Sequence, residues 1–274
     1  MPRTGSLERV TAEPDAAPAR PAIWLLAIVG VVGGVLSGAF GVGGGILMVP
    51  LLITFVGMNQ REAAATSLLA IIPTAIAGSL TYLAAGQVDL FAAAFLAIGG
   101  VGGALIGARL LRRMPLAVLR WGFIALLIAV AVRMVLVIPG RSVGSVEPGV
   151  WTALALMGIG IIIGIAAGLF GIGGGVIAVP ALIAIFGLGD LAAKGTSLLF
   201  IIPTAISGSV SNVRAKLIGL RSGLTVGIAA TVASFGGAAL AFWMSPTVSA
   251  YLFAALLLAA AVQLTISAIR LGRK

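Results

Sequence analysis

Two glycine runs, Gly43–Gly45 and Gly173–Gly175, offer this sequence a way to hold a ligand. Each closes an FGxGGG motif, at Phe40 and at Phe170, and each stands between two apolar segments. Glycine lets backbone approach a ligand closely and reaches conformations closed to other residues. The helix that follows each run begins with unpaired N–H groups and a partial positive charge. That combination can hold an anion without any charged side chain. Other glycines read differently. Gly30, Gly34 and Gly38, with Gly160, Gly164 and Gly168, are small residues at four-residue spacing, the pattern of close helix packing. A dinucleotide-binding reading fails, because no βαβ unit or ribose-binding acid surrounds the glycines.

A second set of polar residues lies on two proline-containing apolar segments. Pro73 and Pro203 each leave the carbonyl four residues earlier unpaired. At about 100° per residue, Ser67, Thr74, Gly78 and Thr81 share one stripe, and Ser197, Thr204, Gly208 and Ser211 share another. Thr66 and Thr196 sit beside these stripes. Such hydroxyls can line a substrate path, or they can bond back to their own helix and to neighbouring helices. Arg133 is the deepest charge in the apolar segments and a candidate substrate contact. It is also close enough to a segment end to snorkel to the surface. Glu62, Asp89, Asp190 and Lys194 stand at segment ends and read as interfacial. With no acid at mid-depth, no carboxylate proton relay is visible.

The elements that position these residues follow from composition. The chain has 274 residues, 61% hydrophobic and 9% charged, where soluble domains carry about 25% charged residues. Most of it therefore belongs in lipid. It contains no Cys and no His, which removes thiolate chemistry and the usual transition-metal ligands, so neither a metal nor another cofactor is expected. General acid–base chemistry is left with almost no candidates, and an enzyme is not expected. The net charge of +10 sits in short loops and at the termini, which fits membrane topology better than nucleic-acid binding.

The chain is also a tandem repeat. GAFGVGGGILMVPLLI begins at Gly38 and GLFGIGGGVIAVPALI at Gly168, an offset of 130 residues. The offset holds for Pro50/Pro180, Thr66/Thr196, Pro73/Pro203 and Gly107/Gly237. Each half divides into five apolar segments. The second of each, 45–57 and 175–187, has about 13 residues, short of the roughly 20 that a span needs. The fold expected is an all-α polytopic membrane protein of two inverted repeats, with a half-length helix after each glycine motif. Inversion is read from charge: the loop holding Arg109, Arg112, Arg113 and Arg120 is basic in the first half, whereas in the second half the basic loop is the one holding Arg214, Lys216 and Arg221. Both basic loops are expected in the cytoplasm. The layout is then a disordered cytoplasmic tail at 1–21, a first repeat at 22–138, a periplasmic linker at 139–148 and a second repeat at 149–274. Both termini are expected to be cytoplasmic, in a multi-pass protein of the cell inner membrane.

These motifs carry a resemblance. The paired GxFGxGGGxxxVPxL segments, Gly38–Leu52 and Gly168–Leu182, are each followed by TSLLxIIPTAIxGS, at Thr66–Ser79 and Thr196–Ser209. Together they resemble the sulfite exporter TauE/SafE family of membrane permeases over nearly the whole chain after residue 22. The resemblance implies transport of sulfite, thiosulfate, sulfoacetate or another organosulfonate or organic acid. The expectation is a secondary transporter working by alternating access, with an anion-selective channel of the same fold as the alternative. Its partners would be the small anion, the bilayer and a coupling ion, proton or sodium; a homo-oligomer is open and nucleic acid is not expected. The expected substrate contacts are Gly43, Gly44, Gly45, Gly173, Gly174, Gly175, Ser67, Thr74, Ser197, Thr204, Thr66, Thr196 and Arg133.

Overall fold

The computed structural model describes residues 22–136, 145–217 and 219–272, the last three by backbone alone. The expected N-terminal tail and most of the expected linker lie outside these residues. The described residues form ten α-helices. Five belong to the first half: α1 (Ile23–Phe40), α2 (Gly45–Val56), α3 (Gln60–Ala84), α4 (Leu90–Arg113) and α5 (Leu116–Leu136). Five belong to the second: α6 (Val150–Phe170), α7 (Gly175–Phe186), α8 (Asp190–Arg214), α9 (Leu220–Trp243) and α10 (Pro246–Gly272). Eight are long and apolar enough to cross a membrane, and α2 and α7 are not. The offset of 130 residues recurs in the ends of α1 and α6 and in both ends of the next three helices of each half.

Local signals set the helix boundaries. Asn59 accepts from the N–H groups of Arg61 and Glu62, both at 3.0 Å, and Glu62 accepts from the Asn59 N–H, a capping box that starts α3. Asp89 caps α4 by accepting from the Ala92 N–H at 2.8 Å. Gly41, Gly57, Gly171 and Gly187 close their helices in the left-handed conformation.

Packing couples the halves rather than separating them. The glycine stripe of α1 lies on α9: a Cβ on Gly34 would strike the Ala230 carbonyl, and one on Gly38 the Ser234 carbonyl. The equivalent stripe of α6 lies on α4, with Gly160 against Leu96 and Gly164 against Gly100. Backbones this close need small residues on the seam. At the centre, α3 crosses its own equivalent. Gly78 faces Leu198 and Gly208 faces Leu68, so α3 and α8 run antiparallel. The pseudo-two-fold axis relating them is therefore perpendicular to the helices.

The two ends of the bundle differ in charge. At one end Arg61, at the start of α3, donates to the carbonyls of Leu111 (3.0 Å) in the last turn of α4 and Met114 (2.6 Å) just after it. At the same end Arg112 donates to the Ser211 hydroxyl near the end of α8, at 3.1 Å. Thus the basic turns after α4 and after α8 share one end. At the other end the Val146 N–H donates to Asp89 at 2.7 Å, and Lys194 donates to Ser249 at the start of α10. Two exposed tryptophans mark each end: Trp24 and Trp121 at the basic one, Trp151 and Trp243 at the other. Tryptophan favours such membrane–water boundaries.

This arrangement predicts a sidedness pattern. In the cysteine-free chain, Arg113→Cys and Lys216→Cys should react with an impermeant thiol reagent from one face of a sealed vesicle, and Glu147→Cys from the opposite face only. Reaction of Arg113→Cys and Lys216→Cys from different faces would contradict the fold.

Candidate substrate site

Each FGxGGG segment ends one helix, turns and starts another within four residues. Gly41 and Gly171 end α1 and α6, with their N–H groups donating to Ser37 and Ala167 carbonyls at 2.9 Å. Gly43 (φ 75°) and Gly44 (φ 74°) then reverse the chain in the left-handed region, as do Gly173 (φ 73°) and Gly174 (φ 92°). A side chain at these positions would be strained. Phe40 and Phe170 brace the turns, stacking on Phe253 (4.8 Å) and Phe123 (5.6 Å).

The short helices then run back along α3 and α8. Gly43 and Gly173 both lie against Ile71 and Ile201, each the twelfth residue of a 25-residue helix. Both turns are therefore halfway along the central pair of helices. They also touch each other. A Cβ on Gly45 would lie 2.6 Å from the Gly171 carbonyl oxygen, and one on Gly175 would lie 2.8 Å from the Gly41 carbonyl oxygen. Consequently α2 and α7 start beside the pseudo-two-fold axis and leave it in opposite directions. Neither start has a side-chain cap. Their first N–H groups have no partner within the helix. Two partial positive charges thus meet at mid-depth.

The space between the two turns is apolar. A Cβ on Gly43 would be 3.0 Å from Ile71 Cγ2 and 3.2 Å from Ile201 Cδ1; one on Gly173 would be 3.2 Å from each Cγ2. Both isoleucines are fully buried. The axis is closed by a two-residue hydrophobic plug.

The profile of the sulfite exporter TauE/SafE family matches residues 3–134 and 156–274. The chain belongs to this family. It is similar to the probable membrane transporter protein YunE of Bacillus subtilis (strain 168), 29% identical over an alignment of 210 residues that covers 69% of this chain and 77% of the relative. It is also 34% identical over 93 residues to the probable membrane transporter protein YdhB of the same organism, covering 34% of this chain and 38% of that one. No solved structure is significantly similar. TauE/SafE members are membrane transporters, not enzymes, and this chain is a multi-pass member.

The hydroxyls expected beside the TauE/SafE glycines divide three ways. Thr74 donates to the Ala70 carbonyl (2.9 Å) and Thr204 to the Phe200 carbonyl (3.0 Å), each four residues back in its own helix. Of the two readings open from sequence, back-bonding is the one seen here. Thr204 also faces Gly100 of α4 rather than the glycine turns. Thr196 accepts from the Asp89 N–H at 2.8 Å, fixing α8 to the turn before α4, and Thr66 is buried on α3. Ser67 donates to the Gly171 carbonyl at 3.0 Å, which binds α3 to the opposite turn. Its equivalent, Ser197, is fully buried with no hydrogen-bond partner among the described residues. Ser197 thus carries a fully buried, unspent hydroxyl. Arg133 is not brought to the turns; it lines a groove between α5 and α7.

The sequence reading placed Asp190 and Lys194 at the membrane surface, and the structure corrects this. They are 4% and 2% exposed and form an ion pair at 2.8 Å in the first turns of α8. Lys194 also donates to Ser249 at 2.9 Å, and its backbone packs against Gly41. The signal available was the i,i+4 spacing of opposite charges flanked by Ala and Gly. Segment-end position outweighed it, because burial there comes from α10 and the α1 turn. The first half has Gln60 and Ala64 at the equivalent positions, so the pair belongs to one end only.

Removing one member of a buried pair leaves the other charge uncompensated. Asp190→Asn should cost about 3–5 kcal/mol in stability, whereas Asp190→Leu with Lys194→Met should recover most of it. Thermal unfolding in detergent would check this; an unchanged midpoint for Asp190→Asn would contradict the pairing.

Proposed function

We propose that this TauE/SafE transporter carries a small anion, a sulfur oxyanion or organosulfonate, across the cell inner membrane by alternating access. The observation that carries the reading is the meeting of the α2 and α7 N-termini at mid-depth. A bare anion in the membrane interior is prohibitively unfavourable unless its lost hydration is replaced. Two helix starts together supply about one unit of positive charge and several N–H donors. Ser197 adds a hydroxyl with no other partner. Discontinuous helices whose starts point at an anionic group recur in secondary transporters. A site without a fixed full charge releases its ligand readily, as a carrier requires.

In this reading the structure is the occluded form. Ile71 and Ile201 fill the axis, and substrate enters when one re-entrant pair, α1–α2 or α6–α7, shifts off the plug. The antiparallel halves make the two openings equivalent and opposite. The bundle's basic end faces the cytoplasm, together with both termini, since cytoplasmic loops retain Lys and Arg. The 139–148 linker then lies on the periplasmic side.

Purified protein in liposomes should take up one or more of sulfite, thiosulfate or sulfoacetate with saturation, and should discriminate against lactate. Ser197→Ala should weaken apparent affinity about tenfold through loss of one hydrogen bond to an anion. Its thermal stability should hold or rise, since an unpaired buried hydroxyl is removed. Ile71→Ala with Ile201→Ala should speed transport or produce leak. No anion uptake, or a Ser197→Ala variant transporting normally, would overturn the reading; single-channel currents would favour the channel alternative instead.

A further inference from the structure

The groove that holds Arg133 is separate from the glycine turns and has its own chemistry. It lies between α5 and α7, has a volume of about 390 Å³ and includes Leu126, Val130, Ile177, Pro180 and Ile185 in its lining. That volume is within the usual range for a bound small molecule, roughly 300–1,000 Å³. Arg133 is the one polar side chain in the lining. It has no hydrogen-bond or ion-pair partner among the described residues, and no carboxylate lines the groove. A guanidinium in apolar surroundings needs an acceptor, and none of the described residues supplies it.

The repeat shows what is missing. The position equivalent to Arg133 is Gln263, on α10, which donates to the Thr54 hydroxyl of α2 at 2.8 Å. That hydrogen bond ties α10 to α2. The position equivalent to Thr54 is Ala184, which lines the Arg133 groove and offers only a methyl group. At the same place in the fold, the α10–α2 contact carries its own hydrogen bond and the α5–α7 contact presents an unpaired cation over an apolar slot. Depth matters too. Arg133 stands three residues before the end of α5, close to the membrane surface, and its outward neighbours Val132, Val135 and Leu136 are exposed and apolar. The groove therefore opens to lipid at headgroup level.

We propose that this groove is a binding site for one anionic phospholipid of the surrounding bilayer, its phosphate on Arg133 and an acyl chain along α7. A guanidinium matches a phosphate through paired N–H donors. The slot takes the chain, and with no carboxylate in the lining a zwitterionic headgroup finds no seat for its ammonium. The site does not depend on which substrate is carried. It sets a lipid against α7, one of the two re-entrant helices, and so couples bilayer composition to that helix.

The test is native mass spectrometry of purified protein equilibrated with an equal mixture of phosphatidylglycerol and phosphatidylcholine. The wild-type chain should retain phosphatidylglycerol preferentially, and Arg133→Gln should lose that preference about tenfold or more. Arg133→Gln combined with Ala184→Thr rebuilds the Gln263–Thr54 pair at the equivalent contact between α5 and α7. It should fold normally and also lose the preference, which covers the case that the single variant is unstable. Equal lipid retention by wild type and the double variant would overturn the proposal. So would occupation of the groove by a second copy, read as a cross-link between Ile185→Cys protomers in the bilayer.

Discussion

Two stretches of bare backbone meet in the middle of this membrane bundle, and the rest of the structure is arranged around satisfying them. In hydrocarbon no water is available to unpaired N–H and C=O groups, so broken helices persist only where protein or a polar cavity surrounds them. Here each glycine turn rests on the other turn and on the two central helices. The Gly171 carbonyl receives Ser67, and the Gly38 carbonyl receives the Tyr82 hydroxyl at 2.9 Å. What is left unmatched is the set of first N–H groups of α2 and α7, which is the set an anion can use.

Bringing two turns to one axis requires backbones at close range everywhere around it. The seams of α1 with α9 and of α6 with α4 are therefore made of glycine and alanine, and each seam joins one half to the other. Bulky residues such as Tyr82, Phe123 and Phe200 fill the buried core around these seams. Ile71 and Ile201 fill the axis itself, and a ring of exposed aliphatic side chains faces outward. Polar decoration is then free to differ between the ends. Arg61 clamps the turn after α4 at one end, and the Asp190–Lys194 pair holds α8 to α10 at the other. A two-fold backbone thus carries an asymmetric set of locks.

Much of this was legible in the residues. The 130-residue offset, the half-length segments after each glycine run and the packing role of Gly30, Gly34 and Gly38 all follow from spacing, and each is a backbone property. The turns were legible because only glycine accepts those conformations. The side-chain assignments were harder. Thr74 and Ser67 lie on one stripe, yet one bonds its own helix and the other crosses to the opposite turn, because stripe position does not fix which neighbour lies opposite. Lys194 looked interfacial since it is near a helix start, and its burial depends on α10 and on the α1 turn, remote in sequence. Ile71 and Ile201 gave no signal at all, being two aliphatic residues among many until the crossing of α3 and α8 puts them on the axis.

The account stands on an anion held by helix starts rather than by a basic side chain. The direct test is a substrate-bound structure with selenite in place of sulfite, the selenium located by its anomalous scattering. The account predicts one selenium on the pseudo-two-fold axis, its oxygens within about 3 Å of backbone N–H groups at 43–46 and 173–176 and near Ser197. Selenium bound instead against Arg133 or Lys194, with the glycine turns still packed on Ile71 and Ile201, would contradict it.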